Sequence, residues 1–413
     1  MKAILTFFLS LLLNLSIWSQ LTGPEAKWLG KHDAGFGSEK QYDFSALGKA
    51  LKGRRIVALG ESSHGLGACY ALKAAMVQYL HSLLGYEVLA MEGGLGDVNL
   101  AWRDADSLSM EELRDKTVFG NFRAKEVEPL FAYLKSQRSA EQPLDYAGFD
   151  SQTSSDYFYQ RLQEVIAHFD RSLADSVQGH YMHYALWFQS GMQEDSVAYY
   201  HHQQQFQQKA DAFKKVLTDQ REFIVGEVLA PAEWKVMVRT LEGFHQSVEL
   251  TFAERWRGVG LRDQLMAENL HWLIDSVYAG KKVIIWAHNG HVERGPITNG
   301  FFKWMGHFLG EWYGDQYYSL GIFALEGNVY QHWTRQSQPF DHTGSDCLES
   351  RLAQSGKALP FLDLRRIPRC PASEWLWNPI DGHEPENGGV VNFVPATRFD
   401  GVVLIRHSDI PTY

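Results

Sequence analysis

Short apolar runs that stop abruptly at a polar or glycine-rich turn recur along this chain. Residues 55–60 (RIVALG), 86–92 (YEVLAME), 144–150 (LDYAGFD) and 282–288 (KVIIWAH) share this form, and 317–325 and 401–407 repeat it later. Runs that stay apolar without alternating belong to strands covered on both faces, and helix-like or loop segments follow each of them. The pattern predicts an α/β fold with a central, mostly parallel sheet flanked by helices. Between Gln152 and Gly280 the spacing becomes helical, as in FYQRLQEVIAHF and AEWKVMVRTLEGFHQSVELTF. This predicts a helical insertion over 152–280 that caps the carboxyl edge of the strands, with the core divided into 21–151 and 281–413. The Gln/His cluster at 201–207 reads as a solvated helix face, and 381–389 (DGHEPENGG) reads as a flexible loop by composition.

Composition narrows the picture. A chain of 413 residues with 45% hydrophobic content buries a large core in one large or two medium domains. Its 49 acids against 39 basic residues give a net charge of −10 and no basic footprint for a nucleic acid. The 13 Trp, 18 Tyr and 24 Phe suit a bulky apolar ligand, although core filling accounts for most such rings. Residues 1–20 combine Lys2, an apolar stretch and the small Ser19 before Gln20, which predicts an export signal cleaved near Ser19 or Gln20. The run is short for a stable span, and no Cys follows it to take a lipid. The mature protein is therefore expected to be periplasmic or extracellular, without a membrane span. Cys69, Cys347 and Cys370 are odd in number; Cys347 and Cys370 are the pair that an oxidising compartment would allow to bond.

Candidate chemistry gathers at the predicted strand ends, where open α/β sheets bind ligands. Glu61 and His64 follow the first run, Glu92 ends the second, Asp150 the third, and the fourth runs into His288 and His291. Each residue has an ordinary alternative: Glu61 favouring a helix N-terminus, His64 a turn histidine, Glu92 and Asp150 loop caps, and the two later histidines packing residues. Their concentration on one edge favours a functional cluster. Lys73 lies in the helix after His64, and because helical side chains lean toward the N-terminus it is expected to reach back, stabilising an anion or holding Glu92. Ser62 invites a serine-hydrolase reading, but His64 stands where the G-x-S-x-G elbow needs Gly. GLGACY (65–70) has Tyr70 in place of the third Gly of a dinucleotide loop, and H-E-x-x-H is absent.

Together, LGESSHG (59–65), Lys73, LAMEGG around Glu92, YAGFD ending at Asp150, LRDQLMAENL (261–270) and WAHNGH (286–291) resemble the erythromycin esterase family, in matching order over roughly 45–330. The C-terminal part matches weakly. The resemblance implies a sheet-with-helices fold whose cleft cleaves a macrolactone ester by water without a covalent serine intermediate, a chemistry tied to macrolide antibiotic resistance. It also implies His64 as general base, Glu61 as its orienting carboxylate, and Glu92, His288 and His291 as further site residues. The family favours Arg where Lys73 stands, and Arg262 matches a family arginine that either pairs with an acid or serves the site. Candidate oxyanion donors are Lys73, His288, His291 and the backbone N–H groups near Leu66. With Lys73, Arg262 and Asp150 as substrate-side groups, the expected partner is a small-molecule ester or lactone, its apolar body enclosed by aromatic residues of the insertion. No cofactor is expected. The alternatives are a metal-dependent hydrolase or peptidase with a divalent metal on His64, His288 and His291, and a non-enzymatic binder of a haem-like or aromatic ligand.

Overall fold

The computed structural model describes residues 21–38, 40–190, 196–252, 255–295 and 302–413. The expected export signal at 1–20 lies outside them. Among the described residues no helix is long and apolar enough to cross a membrane.

Ten strands position the site: β1 (Ile56–Leu59), β2 (Val88–Gly94), β3 (Asp145–Asp150), β4 (Val283–Trp286), β5 (Tyr317–Gln331), β6 (Gln336–Asp341), β7 (Phe361–Asp363), β8 (Ile380–Glu384), β9 (Gly389–Phe393) and β10 (Gly401–Ser408). The main sheet has eight of them in the order β3-β2-β4-β1-β5-β10-β7, with β6 paired to β5. β3, β2, β4, β1, β5 and β10 run parallel; only β6 and β7 are antiparallel, at the periphery. The expected mostly parallel α/β sheet is thus present. Its apolar runs are continuous because both faces are covered. Val57 and Leu59 pack in one core cluster with Leu89, Met91, Ile284 and Trp286, while Ile56 and Ala58 pack in the other with Val88, Ala90, Val283 and Ile285.

Helix α1 (Gly67–Leu84) follows β1 and ends where Gly85 adopts φ 65°, a left-handed cap that returns its N–H to His81 and Leu80. α2 (Leu95–Arg103) follows β2. Between β3 and β4 the chain is helical: α3 (Tyr157–Ala167), α4 (Arg171–Ser190), α5 (Ser196–Asp219), α6 (Pro231–Phe252) and α7 (Arg255–Trp272). Further on, α8 (Leu348–Ala353) precedes β7.

One expectation needs correction here, and one pairing that the sequence left open is settled. The segment expected to be a flexible loop at 381–389 belongs largely to the antiparallel β8–β9 hairpin, because Ile380 pairs with Phe393 and buries with it on the core. Cys347 and Cys370 do not bond; all three cysteines are free thiols.

Candidate active site

β1 and β4 are neighbours, so the turns after them face each other at the carboxyl edge. Both flanking glycines of the first turn are required by close approaches. A Cβ on Gly60 would collide with Asn289 Oδ1, and one on Gly65 with the Tyr330 carbonyl. Asn289 fills that space because its side chain bonds both N–H and C=O of Ile322 on β5, while its backbone N–H donates to the Glu61 carbonyl at 2.8 Å. The turn bearing Glu61 and His64 is thereby locked between β4 and β5.

Glu61 is fully buried and shared by an imidazole and an ammonium. One oxygen faces His64 Nδ1 at 3.0 Å; the other pairs with Lys73 Nζ. Lys73 itself has no exposed surface; its ammonium also donates to the Ala287 carbonyl and lies 4.3 Å from the Trp286 ring centroid. Lys73 therefore reaches back as its helical position requires, but it holds Glu61 rather than Glu92, and its complete burial keeps it from substrate. With Nδ1–H donated to Glu61, His64 Nε2 is left as the lone-pair nitrogen, the tautomer a base needs. Burial alone would push this imidazole down, but the Glu61 bond and the charges of Glu92, Glu61 and Glu386 raise it above its ordinary 6.5.

The second group is a charge lattice around Glu92. Its Oε1 meets Arg262 at 3.1 Å and His291 Nε2 at 3.5 Å; its Oε2 accepts the His288 backbone N–H at 3.2 Å. Arg262 also pairs with buried Asp150, so that residue is an anchor for the arginine. His291 Nδ1 lies 2.9 Å from Asp263, whose Oδ1 also accepts the Met305 N–H. Although burial opposes it, this pair of carboxylates raises His291 to about 10, so the ring is cationic at neutral pH. Burial would likewise raise Glu92, but the neighbouring His291, His64 and Arg262 hold it well below the usual carboxylate range.

His288 differs in character. Its Nδ1 accepts the Gly290 N–H at 3.1 Å, which places the neutral ring's proton on Nε2, and burial lowers its affinity for a second proton. Its ring lies 5.2 Å from that of His64, centroid to centroid. A lone-pair nitrogen and an N–H donor thus belong to neighbouring rings. The backbone N–H groups at the start of α1 do not contribute, since those of Gly67 and Ala68 bond the Asp409 carbonyl and the Ser408 hydroxyl. Ser62 is almost fully buried and its hydroxyl bonds no base, so the nucleophile–base contact of a serine hydrolase is missing.

Sequence reasoning missed Asp263 and the groups brought in by the C-terminal part. Glu386, at the β8–β9 turn, accepts the His64 backbone N–H at 3.2 Å and bonds His332 Nδ1 at 2.7 Å, while His332 Nε2 meets the Tyr413 hydroxyl at 2.7 Å. Tyr70 adds a hydroxyl bond to the His64 carbonyl.

Three cavities adjoin this cluster. The largest, about 590 Å³, is lined by His64, Glu92, Arg262, Phe119, Tyr330 and Trp333 among others. A second, about 210 Å³, shares His64 and Glu386 with it and adds Ser62, His288 and His291. A third, about 260 Å³, shares Ser62, Gly290, Trp304 and Glu384 with the second and ends among Phe323, Phe393 and Phe399. Among the described side chains the aromatic lining comes from loops and strands of the core, and α7 contributes Val259 and Arg262; several insertion aromatics expected to enclose the ligand, at 183–200 and 244–257, lie outside the described side chains. His64, His288 and His291 do not bring their donors together as a metal-holding group. Among the described residues the group that does so is Cys347, Glu349 and His383.

A family model described as erythromycin esterase matches residues 81–408. The match runs through the C-terminal part, further than the sequence motifs reach, and begins after Glu61, His64 and Lys73. The Bacillus subtilis (strain 168) protein named "Putative hydrolase YbfO" is 26% identical over 92% of this chain and 90% of its own length. Erythromycin esterase type II of Escherichia coli is 24% identical over 70% of this chain and 73% of its length. The solved structure of a histidine-to-asparagine mutant of the erythromycin esterase EreC, in its open conformation, superposes with a TM-score of 0.66 at 14% identity, covering 94% of this chain and 97% of that one.

Proposed function

Since this chain belongs to the erythromycin esterase family, we propose that it hydrolyses a carboxylic ester or lactone by direct attack of water, with His64 as general base. The observation that carries this reading is the pairing of two differently prepared imidazoles. His64 is held by Glu61 with Nε2 free, and neutral His288 is held by Gly290 with Nε2 protonated.

Water attacks the ester carbonyl as His64 Nε2 takes its proton; the carbonyl oxygen gains negative charge and accepts from His288 Nε2–H, with Arg262 supplying further positive field. The tetrahedral intermediate then collapses, the alcohol departs, and the imidazolium of His64 returns its proton to the leaving oxygen, so that ester and water become acid and alcohol. Lys73 neutralises Glu61, which keeps that carboxylate from drawing the proton off His64. His291 is held too firmly by its two carboxylates to act as a proton donor at neutral pH, and instead fixes Glu92. No step calls on a metal or cofactor. The sequence of residues 1–20 supports an exported protein, acting on an ester outside the cytoplasm.

The test is a panel of aryl esters, macrolactones and sugar esters offered to the mature chain, with acid release measured directly. At least one class is expected to turn over, and His64→Ala to lower that turnover by about 10²–10⁴-fold with unchanged circular dichroism. Absence of hydrolysis across the panel, or equal rates in His64→Ala, would overturn the proposal.

A further inference from the structure

We infer that Cys347, Glu349 and His383 form a binding site for a divalent transition metal, zinc by donor chemistry, that pins the β8–β9 hairpin to α8. One nitrogen, oxygen or sulfur donor from each residue lies within 4.8 Å of the other two. They come from separate places: Cys347 at the N-cap of α8, Glu349 in its first turn, and His383 on β8. Cys347 and Glu349 have no exposed surface. A thiolate, an imidazole and a carboxylate form a donor set that suits tetrahedral zinc.

The carboxylate is already aimed. Glu349 Oε1 accepts the His383 backbone N–H at 2.7 Å, which leaves Oε2 facing His383 Nδ1 at 3.3 Å. Around a zinc ion with nitrogen and oxygen ligands at about 2.0 Å, a tetrahedral edge is about 3.3 Å. The present hydrogen-bond separation matches that edge, so an ion could enter without moving either donor far. Cys347 Sγ accepts the Ser350 N–H at 3.4 Å and points its own S–H toward the His342 carbonyl at 3.7 Å; burial keeps this thiol protonated before a metal binds, so metal binding there releases a proton. Among the described residues the only basic side chain within ion-pair distance of buried Glu349 is His383 itself. Beside the trio, the His342 ring stacks on His383 at 3.7 Å, and its buried Nε2 has no hydrogen-bond partner. The fourth position falls to His342 after a side-chain rotation, or to water entering from the 260 Å³ cavity that His383 lines.

This site lies apart from the water-attacking histidines, yet it bears on them. His383 is three residues before Glu386, which holds the His64 backbone. A metal on His383 fixes the hairpin one pair before the turn that holds the His64 backbone.

The full mature chain, stripped with chelator and titrated with cobalt(II) chloride, is expected to take up one cobalt per chain and to develop thiolate-to-cobalt charge-transfer absorption in the near ultraviolet. Cys347→Ser should remove that absorption. His383→Ala should weaken uptake by more than about tenfold, since even outer-shell partners cost that much. His64→Ala should leave both signals intact. Glu349→Gln serves as a second ligand variant should Cys347→Ser fail to fold, and zinc chloride should raise the melting temperature of the unsubstituted chain. Uptake without charge-transfer absorption, absence of uptake, or loss of binding in His64→Ala would overturn the inference.

Discussion

Glu61 holds the His64 imidazole and the Lys73 ammonium at once, and substitutions that separate those duties should differ in outcome. Glu61→Gln keeps the shape but weakens the hold on His64 Nδ1. We expect kcat/KM to fall by about 10²–10⁴-fold, as when the orienting carboxylate of other histidine bases is lost. His64 must be neutral to act, so activity rises with pH through its pKa; because that pKa stands above 6.5, the acid limb should lie above 6.5 and move down in Glu61→Gln. A limb that stays in place in the pH–rate profile would separate Glu61 from His64. Lys73→Met instead leaves a buried carboxylate without its partner, which costs about 3–5 kcal/mol. The Lys73→Met/Glu61→Gln double variant should recover most of that loss in denaturant titration while staying as slow as Glu61→Gln. Glu61, His64, Glu92 and His288 were legible in the sequence because each stands where an apolar run stops. Asp263 was not, although it adjoins Arg262. Consecutive helical residues point about 100° apart, so one neighbour reaches Glu92 and Asp150 while the other reaches His291.

At the scale of elements, the turn bearing Glu61 and His64 is gripped by a hairpin, which His332 in turn links to Tyr413. Glu386→Ala frees the His64 backbone N–H and the His332–Tyr413 relay without touching a reacting atom. It should lower kcat by about tenfold or more with melting temperature little changed, because misplacement by about 1 Å is enough to cost that in rate. An unchanged kcat would show that the turn holds itself. The composition of 381–389 hid this hairpin. Its Gly, Pro and Asn describe a turn correctly, while its strands are fixed by pairing and by Phe393 against Phe323 and Phe399. The lattice around His291 carries its own pH signature. With a folded pKa of about 10 against an ordinary 6.5, its stabilisation is complete below 6.5 and is lost as pH rises through 10. The melting-temperature gap between the unsubstituted chain and His291→Asn should be wide at pH 6 and narrow above 10; a gap constant with pH would contradict a charged His291.

For the whole molecule, the parallel sheet was legible because residues buried on both faces leave unbroken apolar runs, as in β1, β2 and β4. The peripheral β6 was not, since it is largely exposed and polar. The cleft follows from the strand order: β1 lies between β4 and β5, so the turns after these strands meet around one hollow, with an aromatic compartment on one side and the wider cavity on the other. Such a division suits an ester with one apolar and one bulkier, polar half. The most direct test of His64 as the base is chemical rescue. His64→Ala should lose about 10²–10⁴-fold in ester turnover, and added imidazole, entering the space the side chain vacated, should restore part of it in proportion to the free-base concentration. Turnover by His64→Ala at the unsubstituted rate, with no response to imidazole, would contradict the account.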